Sequence, residues 1–259
     1  MNRLSHLLLM INDKVFLGFP IKFKDVCEIY PPTVNEVVSN DDFGIYQSFF
    51  TITQEDLDDA YLKDETITQV PTPFQYLLMN YYQDEEIRQK IEDGFSLFVR
   101  EPVTIIPEIE MLLIGKAEDD IDPDVDLENP RLLTEENFFD FQNQIRKVIG
   151  LKLVDVPAPD DVIEDPRIKR WKMKMKEREK ILSVKKSKDV PTFGTLLAAI
   201  CCMGIGLNPL NIGEMSYACV QWLISMYQQN EEYDIDIRSL LAGADSKKVK
   251  PKYWIKNID

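Results

Sequence analysis

Hydrophobic and polar residues alternate with a short period at the start of the chain. Val15 to Phe19 and Ile21 to Phe23 read as two strands, continued by Cys27 to Ile29 after the polar break at Lys24 and Asp25; Pro31 and Pro32 then end the extended run. Past the prolines the period lengthens to that of a helix. Thr33 caps a short helix through Val38. Asp41 caps a second to about Phe50, with Phe43, Tyr46, Phe49 and Phe50 on its apolar face, and Thr53 to Asp56 forms a capping box that opens a third. Thr72 followed by Pro73 starts the next, where Phe74, Leu77, Leu78 and Tyr81 recur at helical spacing.

From Phe95 to Ile114 the pattern reads as extended again. Phe95, Leu97 and Val99 alternate with their neighbours, and Val103 to Ile106 and Met111 to Ile114 follow, so this stretch is expected to complete a small sheet with the first hairpin. Ala117 to Pro130 is a polar, acidic loop. Thr134 caps an amphipathic helix to about Ile149, with Glu135 and Glu136 in its first turn and Arg146 and Lys147 in its last, as the helix dipole favours. A linker rich in Pro and Asp spans Val156 to Pro166. A basic helix follows from about Arg167 to Lys186. Thr192 to Met203 is a nearly continuous apolar helix ended by Gly204 and Gly206, and a turn at Asn208 and Pro209 leads to another helix over Glu214 to Tyr227. Asp236 to Leu241, a turn at Gly243 and a basic tail from Lys247 to Asp259 close the chain.

These elements predict an α+β fold that is mainly α-helical, with a small N-terminal antiparallel sheet and a helical C-terminal part. The organisation reads as an α+β domain over 1–116, an acidic linker over 117–130, an amphipathic helical segment over 131–155, a second linker over 156–166, a basic helix over 167–190 and a C-terminal helical domain over 191–259.

Composition supports a folded chain, since 259 residues that are 44% hydrophobic and 10% aromatic can bury a sizeable core. The longest apolar stretch, near Phe193 to Ile205, is broken by Gly194, Thr195 and Gly204 and falls short of the roughly 20 residues a membrane span needs. The apolar run Leu7 to Ile11 is followed by Asp13 and Lys14 where a cleavage site of small residues belongs. Both features point to a soluble cytoplasmic protein. Cys27, Cys201, Cys202 and Cys219 have no regular spacing and read as reduced, buried thiols.

Charge divides the chain. Residues 1–165 carry 13 basic and 35 acidic side chains, whereas residues 166–259 carry 17 basic and 10 acidic, within a total of −15. The acidic body repels nucleic acid, and the basic part can meet an acidic partner or lie against the chain's own acidic part. In the basic helix Arg167, Lys169, Arg170, Lys172, Lys174, Lys176, Arg178 and Lys180 leave little apolar surface beyond Ile168, Trp171, Met175 and Leu182. That charge keeps nucleic-acid association open as a minor reading, tested by retardation of DNA or RNA at low salt.

Catalytic and cofactor signatures find little to stand on. His6 is the one histidine and has no cysteine or carboxylate pattern beside it, which excludes a histidine-clustered metal site and gives no basis for a histidine triad. Asp124, Asp126, Glu128 and Glu135 fall at the first, third, fifth and twelfth places of a calcium loop. Asn129 occupies the sixth, where glycine is needed for the turn, so the stretch reads as an acidic linker. Gly204 and Gly206 lack the third glycine and the lysine of a phosphate-binding loop. The helix after the turn at 206–213 has no Arg or Lys to grip phosphates as a DNA-recognition helix would. The expectation is therefore a non-enzymatic protein without cofactor or metal.

Two stretches carry a resemblance. The opening hairpin followed by YPPTVNEVV at Tyr30 to Val38 and FGIYQSFFTITQEDL at Phe43 to Leu57, and the later GIGLNPLNIGEMSYACVQWLISMYQ at Gly204 to Gln228, together resemble phage tail assembly chaperones and related tail-cluster proteins of phages infecting Gram-positive bacteria. The resemblance covers about a third of the chain and leaves out the basic helix and the ending Lys250 to Asp259. It implies a protein of the host cytoplasm that binds the tape measure protein and helps tail tube protein assemble around it, or else a tail or baseplate component of the virion.

Met203, Met215, Trp222, Met226 and Tyr227 are the residues expected to line a groove for amphipathic helices, since adaptable Met and aromatic side chains suit varied partners, although the same spacing also serves core packing. Tyr253, Trp254 and Ile255, on the basic tail, read as a docking segment. Self-association stays open.

Overall fold

A computed structural model describes residues 13–61, 70–106, 110–116, 131–155, 192–203, 206–245 and 249–251. Asp13 to Phe16 form one helical turn, and Gly18, at φ +79°, then redirects the chain. Strands β1 (Ile21–Phe23) and β2 (Cys27–Ile29) pair as an antiparallel hairpin with Ile21 opposite Ile29. The expected strand over Val15 to Phe19 is thus not formed. Leu17 N–H and Phe19 N–H donate to the carbonyls of Asp13 and Lys14, and the left-handed Gly18 is a turn conformation rather than an extended one.

Helix starts follow the caps in the sequence. At α1 (Val34–Val38), Thr33 Oγ1 accepts from Glu36 N–H at 3.2 Å and Glu36 returns a carboxylate oxygen to Thr33 N–H at 2.7 Å, a reciprocal capping box. Helix α2 (Phe43–Thr51) begins one residue later than Asp41 would place it. Asn40 Oδ1 accepts from Asp42 N–H at 3.0 Å, which holds a turn at 40–42 and pushes the first helical residue to Phe43. Helix α3 (Gln54–Tyr61) opens on Thr53 and Asp56, and α4 (Pro73–Gln83) on the pair Thr72 and Gln75 with Pro73 at the first helical position.

Helix α5 (Glu85–Phe98) overturns the extended reading around Phe95. Asp84 caps it by accepting from Glu86 N–H, and Ile91, Gly94, Phe95 and Phe98 are buried at helical spacing on one face. In Phe95 to Val99 apolar residues fill nearly every place, so period two and period 3.6 are both satisfied locally; the cap eleven residues upstream decides. Strands β3 (Val103–Ile106), β4 (Met111–Ile114) and β5 (Leu132–Leu133) make a separate antiparallel sheet in the order β3-β4-β5 and do not join the first hairpin. Helix α6 (Glu135–Val148) follows, with Thr134 N–H donating to Asn137 Oδ1 at 2.8 Å. The last elements are α7 (Phe193–Cys202), a 3-10 turn at Ile212–Glu214 and α8 (Tyr217–Leu241). Asp236 to Leu241, read as a separate closing element, is the end of the 25-residue α8. The fold is α+β and mainly helical.

Aromatic rings fill the main core. Phe50 meets Phe95 edge-on at 4.7 Å between centroids and Phe98 at 5.7 Å, while Phe141 of α6 touches the rings of Phe23, Phe50, Phe95 and Phe138. Gly94 is required by this packing, because a Cβ there would stand 2.6 Å from Phe50 Cε2. The two sheets are tied by Arg131, whose Nη2 donates to both carboxylate oxygens of Glu101 at 2.7 and 2.6 Å and whose Nε donates to Val26 C=O at 3.0 Å. Arg131→Ala is expected to cost about 1–3 kcal/mol through loss of these charge-assisted bonds, read as a lower urea midpoint; Glu101→Ala should reproduce most of it.

Candidate partner-binding surface

The C-terminal module is assembled by local caps and one long-range joint. Thr192 Oγ1 accepts from Thr195 N–H at the start of α7. Asn208 and Asn211 fold the connection back on itself, with Leu210 N–H donating to Asn208 Oδ1 at 2.9 Å and Asn211 Nδ2 donating to Gly206 C=O at 3.0 Å. Ser216 caps α8 by accepting from Cys219 N–H at 3.2 Å, and its own hydroxyl donates to Val15 C=O at 3.0 Å.

The joint brings together the two stretches that sequence analysis singled out. Thr33 and Ser216 form an antiparallel bridge in which Val34 N–H donates to Met215 C=O at 2.9 Å and Tyr217 N–H to Pro32 C=O at 2.8 Å. Asn35 Nδ2 donates to Glu214 Oε1 at 3.2 Å, and its carboxamide lies over Gly213, so that a Cβ there would require the Asn35 side chain to turn away. Tyr30 to Val38 and the GEMSYA stretch of residues 213–218 therefore act as one structural unit across about 180 residues of sequence. Periodicity gave no sign of this pairing, since each half is only a short segment between stronger elements.

Around the joint lies a second apolar cluster, distinct from the aromatic core. Val34, Ile200, Ile212, Val220 and Ile224 are buried in it, whereas Phe193, Leu196, Leu197, Cys201, Met203, Leu207, Met215 and Leu223 pack on it only half-buried. Half-covered members thus outnumber buried ones, the reverse of the main core. Nearby in sequence Leu210 is 92% exposed, and Val38 at the end of α1 is 59% exposed.

The five groove residues expected from sequence do not share one wall. Met203 and Met215 belong to the half-covered cluster. Trp222 packs on the main core and stacks on Phe16 with centroids 6.1 Å apart. Met226, half-buried, and Tyr227, exposed, lie beyond both clusters along α8, and the carboxylate of Glu231 raises the Tyr227 pKa. Tyr253, Trp254 and Ile255 lie outside the described residues, as do Arg167, Lys169, Arg170, Lys172, Lys174, Lys176, Arg178 and Lys180 and the acidic stretch 117–130. Residues that sequence reasoning missed are Val34, Leu196 and Leu207, each on the half-covered cluster. Among the described residues no group of three or more His, Cys, Asp or Glu could hold a metal, and no helix is long and apolar enough to cross a membrane.

Thiol chemistry follows burial. Of the four cysteines expected to be buried, Cys27 and Cys219 are, whereas Cys201 is half-buried and Cys202 is exposed, because successive residues of α7 face about 100° apart and its apolar run is not covered all round. Burial, helped at Cys27 by the nearby Glu101 carboxylate, pushes the Cys27 thiol up to about 12, and burial alone pushes Cys219 up to about 11. At pH 8 iodoacetamide is expected to modify Cys202 first, and Cys27 and Cys219 only after denaturation, as peptide mass spectrometry would show. Because both folded-state values lie above the ordinary thiol value of 9.0, these groups favour the folded state fully below pH 9 and withdraw that contribution as pH rises to about 11–12.

Comparison with known proteins bears on the same module. No curated protein and no solved structure matches the chain. Residues 185–259, which include α7, the 3-10 turn and α8, match the family model described as the YomV second domain, so that the C-terminal part of the chain is similar to a phage-associated domain family.

Proposed function

We propose that the chain is a non-enzymatic phage tail assembly chaperone that works in the host cytoplasm, binding the tape measure protein and assisting tail tube assembly. The observation that carries this reading is the half-covered apolar cluster at the joint of the two resembled stretches, within reach of the part that matches a phage-associated family. A surface of Leu, Met and aromatic side chains that is neither buried nor dispersed suits the apolar face of an amphipathic helix, and thioether side chains adapt to varied sequences. The strongly acidic body, with 35 acidic side chains in residues 1–165, keeps such a complex dispersed by charge repulsion.

Affinity capture of the tagged chain from phage-producing cells, with mass spectrometry of finished particles, tests it. The chaperone reading expects tape measure protein in the captured material and no copies of this chain in virions. Copies in virions would make it a tail or baseplate component instead, and capture without tape measure or tube protein would end the chaperone reading.

A further inference from the structure

The turn over residues 206–212 is fixed by five hydrogen bonds. Asn208 N–H donates to Asn211 Oδ1 at 2.8 Å, Leu210 N–H donates to Asn208 Oδ1 at 2.9 Å, and the N–H groups of Asn211 and Ile212 both donate to Asn208 C=O, at 3.1 and 3.0 Å. Asn211 Nδ2 closes the loop on Gly206 C=O at 3.0 Å, and the ring of Pro209 fixes one further backbone angle. At the tip stands Leu210, 92% exposed. It cannot retreat inward, because its N–H is tied to Asn208 and both flanks are anchored: Leu207 packs on the half-covered cluster and Ile212 is buried in it. Leu210 contributes only its backbone to these bonds, so a polar side chain at the tip would serve the turn equally well. A large aliphatic group is thus held rigidly in water between two anchors of an apolar surface.

Charge narrows what can meet it. From Thr192 to Asn230 the sole charged side chain is Glu214, although 29% of the whole chain is charged. The stretch has no cation to hold a phosphate or an acidic peptide, and covering it with a charged surface would strip that charge of water without a counter-ion. An uncharged, apolar face meets no such cost. A second copy of the chain would bring its own net charge of −15 up against the first. We propose that Leu210 is the anchor residue of the partner-binding surface, inserting between side chains on the uncharged apolar face of a partner helix that lies on the half-covered cluster. The identity of that helix rests on the chaperone reading; the anchor is what this turn adds to it. Because the turn already holds Leu210 in place, docking removes little backbone freedom there. The side chain passes from nearly full exposure to burial, the condition under which one residue contributes most to affinity.

Site-specific photo-cross-linking in the full chain tests the anchor, with benzoylphenylalanine replacing Leu210 in one variant and Met79, 53% exposed on α4, in another, each co-expressed with tape measure protein. Position 210 is expected to cross-link to tape measure protein and position 79 is not. Leu210→Ser should keep the thermal midpoint of wild type, since the side chain lies outside both cores, and should lower the amount of tape measure protein that co-elutes about tenfold. If wild type and Leu210→Ser retain equal amounts and position 210 gives no cross-link to tape measure protein, the anchor is wrong while the chaperone reading survives. Failure of wild type itself to retain tape measure protein ends both. Cross-links from position 210 to a second copy of this chain would assign the turn to self-association, and equal cross-linking from positions 79 and 210 would make the contact unspecific; either outcome overturns the proposal.

Discussion

Phe141→Ala is expected to lower the stability of the fold by about 3–5 kcal/mol, with a fall in thermal midpoint of roughly 10 °C. Phe141 is fully buried on α6 and its ring meets those of Phe23, Phe50, Phe95 and Phe138, which come from β1, α2, α5 and α6 itself. Removing it strips edge-to-face and stacked contacts from four neighbours at once. The neighbours are themselves large rings held by their own helices, so the space cannot close by small shifts. Phe141→Leu keeps apolar volume and should lose about half as much. Far-ultraviolet circular dichroism during heating measures both; equal midpoints for wild type and Phe141→Ala would contradict the assignment of the core.

Ser216→Ala is expected to cost about 2–3 kcal/mol, although it deletes one oxygen atom. That oxygen accepts from Cys219 N–H, so its loss uncaps α8, and it donates to Val15 C=O, so its loss also removes one of the two hydrogen bonds that carbonyl accepts, the other coming from Gly18 N–H at 3.0 Å. The residue is 4% exposed, and water reaches neither group freely. The effect should be local as well as global. Amide exchange is expected to rise at residues 13–19 and in the first turn of α8 together, because one side chain holds both, whereas Ser216→Thr, which keeps the hydroxyl, should stay near wild type. Loss of protection in α8 alone would mean that the turn at 13–18 is held by the Phe16 and Trp222 stack instead.

Much of the local structure was legible because it is written over three or four residues. Thr33 with Glu36, Thr72 with Pro73 and Gln75, and Thr134 with Asn137 each set a helix start through a short-range exchange of hydrogen bonds, and α1, α4 and α6 begin where those residues place them. Where apolar residues are dense the pattern loses its period. Phe95 to Val99 looked extended because both periods fit, and Val15 to Phe19 looked extended although Gly18 turns there. The C-terminal module was legible as helices but not as a surface. Met203 and Met215 lie in one half-covered cluster, whereas Trp222 packs on the main core and stacks on Phe16, and Val34 joins the cluster from across the chain. Such a cluster is built by the bridge between Thr33 and Ser216, and no short window of sequence contains both of these residues.

The proposed role requires the half-covered cluster around Met203, Met215 and Leu207 to receive a helix of the tape measure protein. Its most direct test is co-expression of the chain with tape measure protein, followed by size-exclusion chromatography of the soluble fraction, with Leu207→Asp beside wild type. Tape measure protein is expected to be soluble and to elute with the wild-type chain, and with Leu207→Asp to be insoluble or to elute apart while the variant itself stays folded. Tape measure protein that stays insoluble with the wild-type chain, or co-elutes equally well with both, would rule out this cluster as its binding surface.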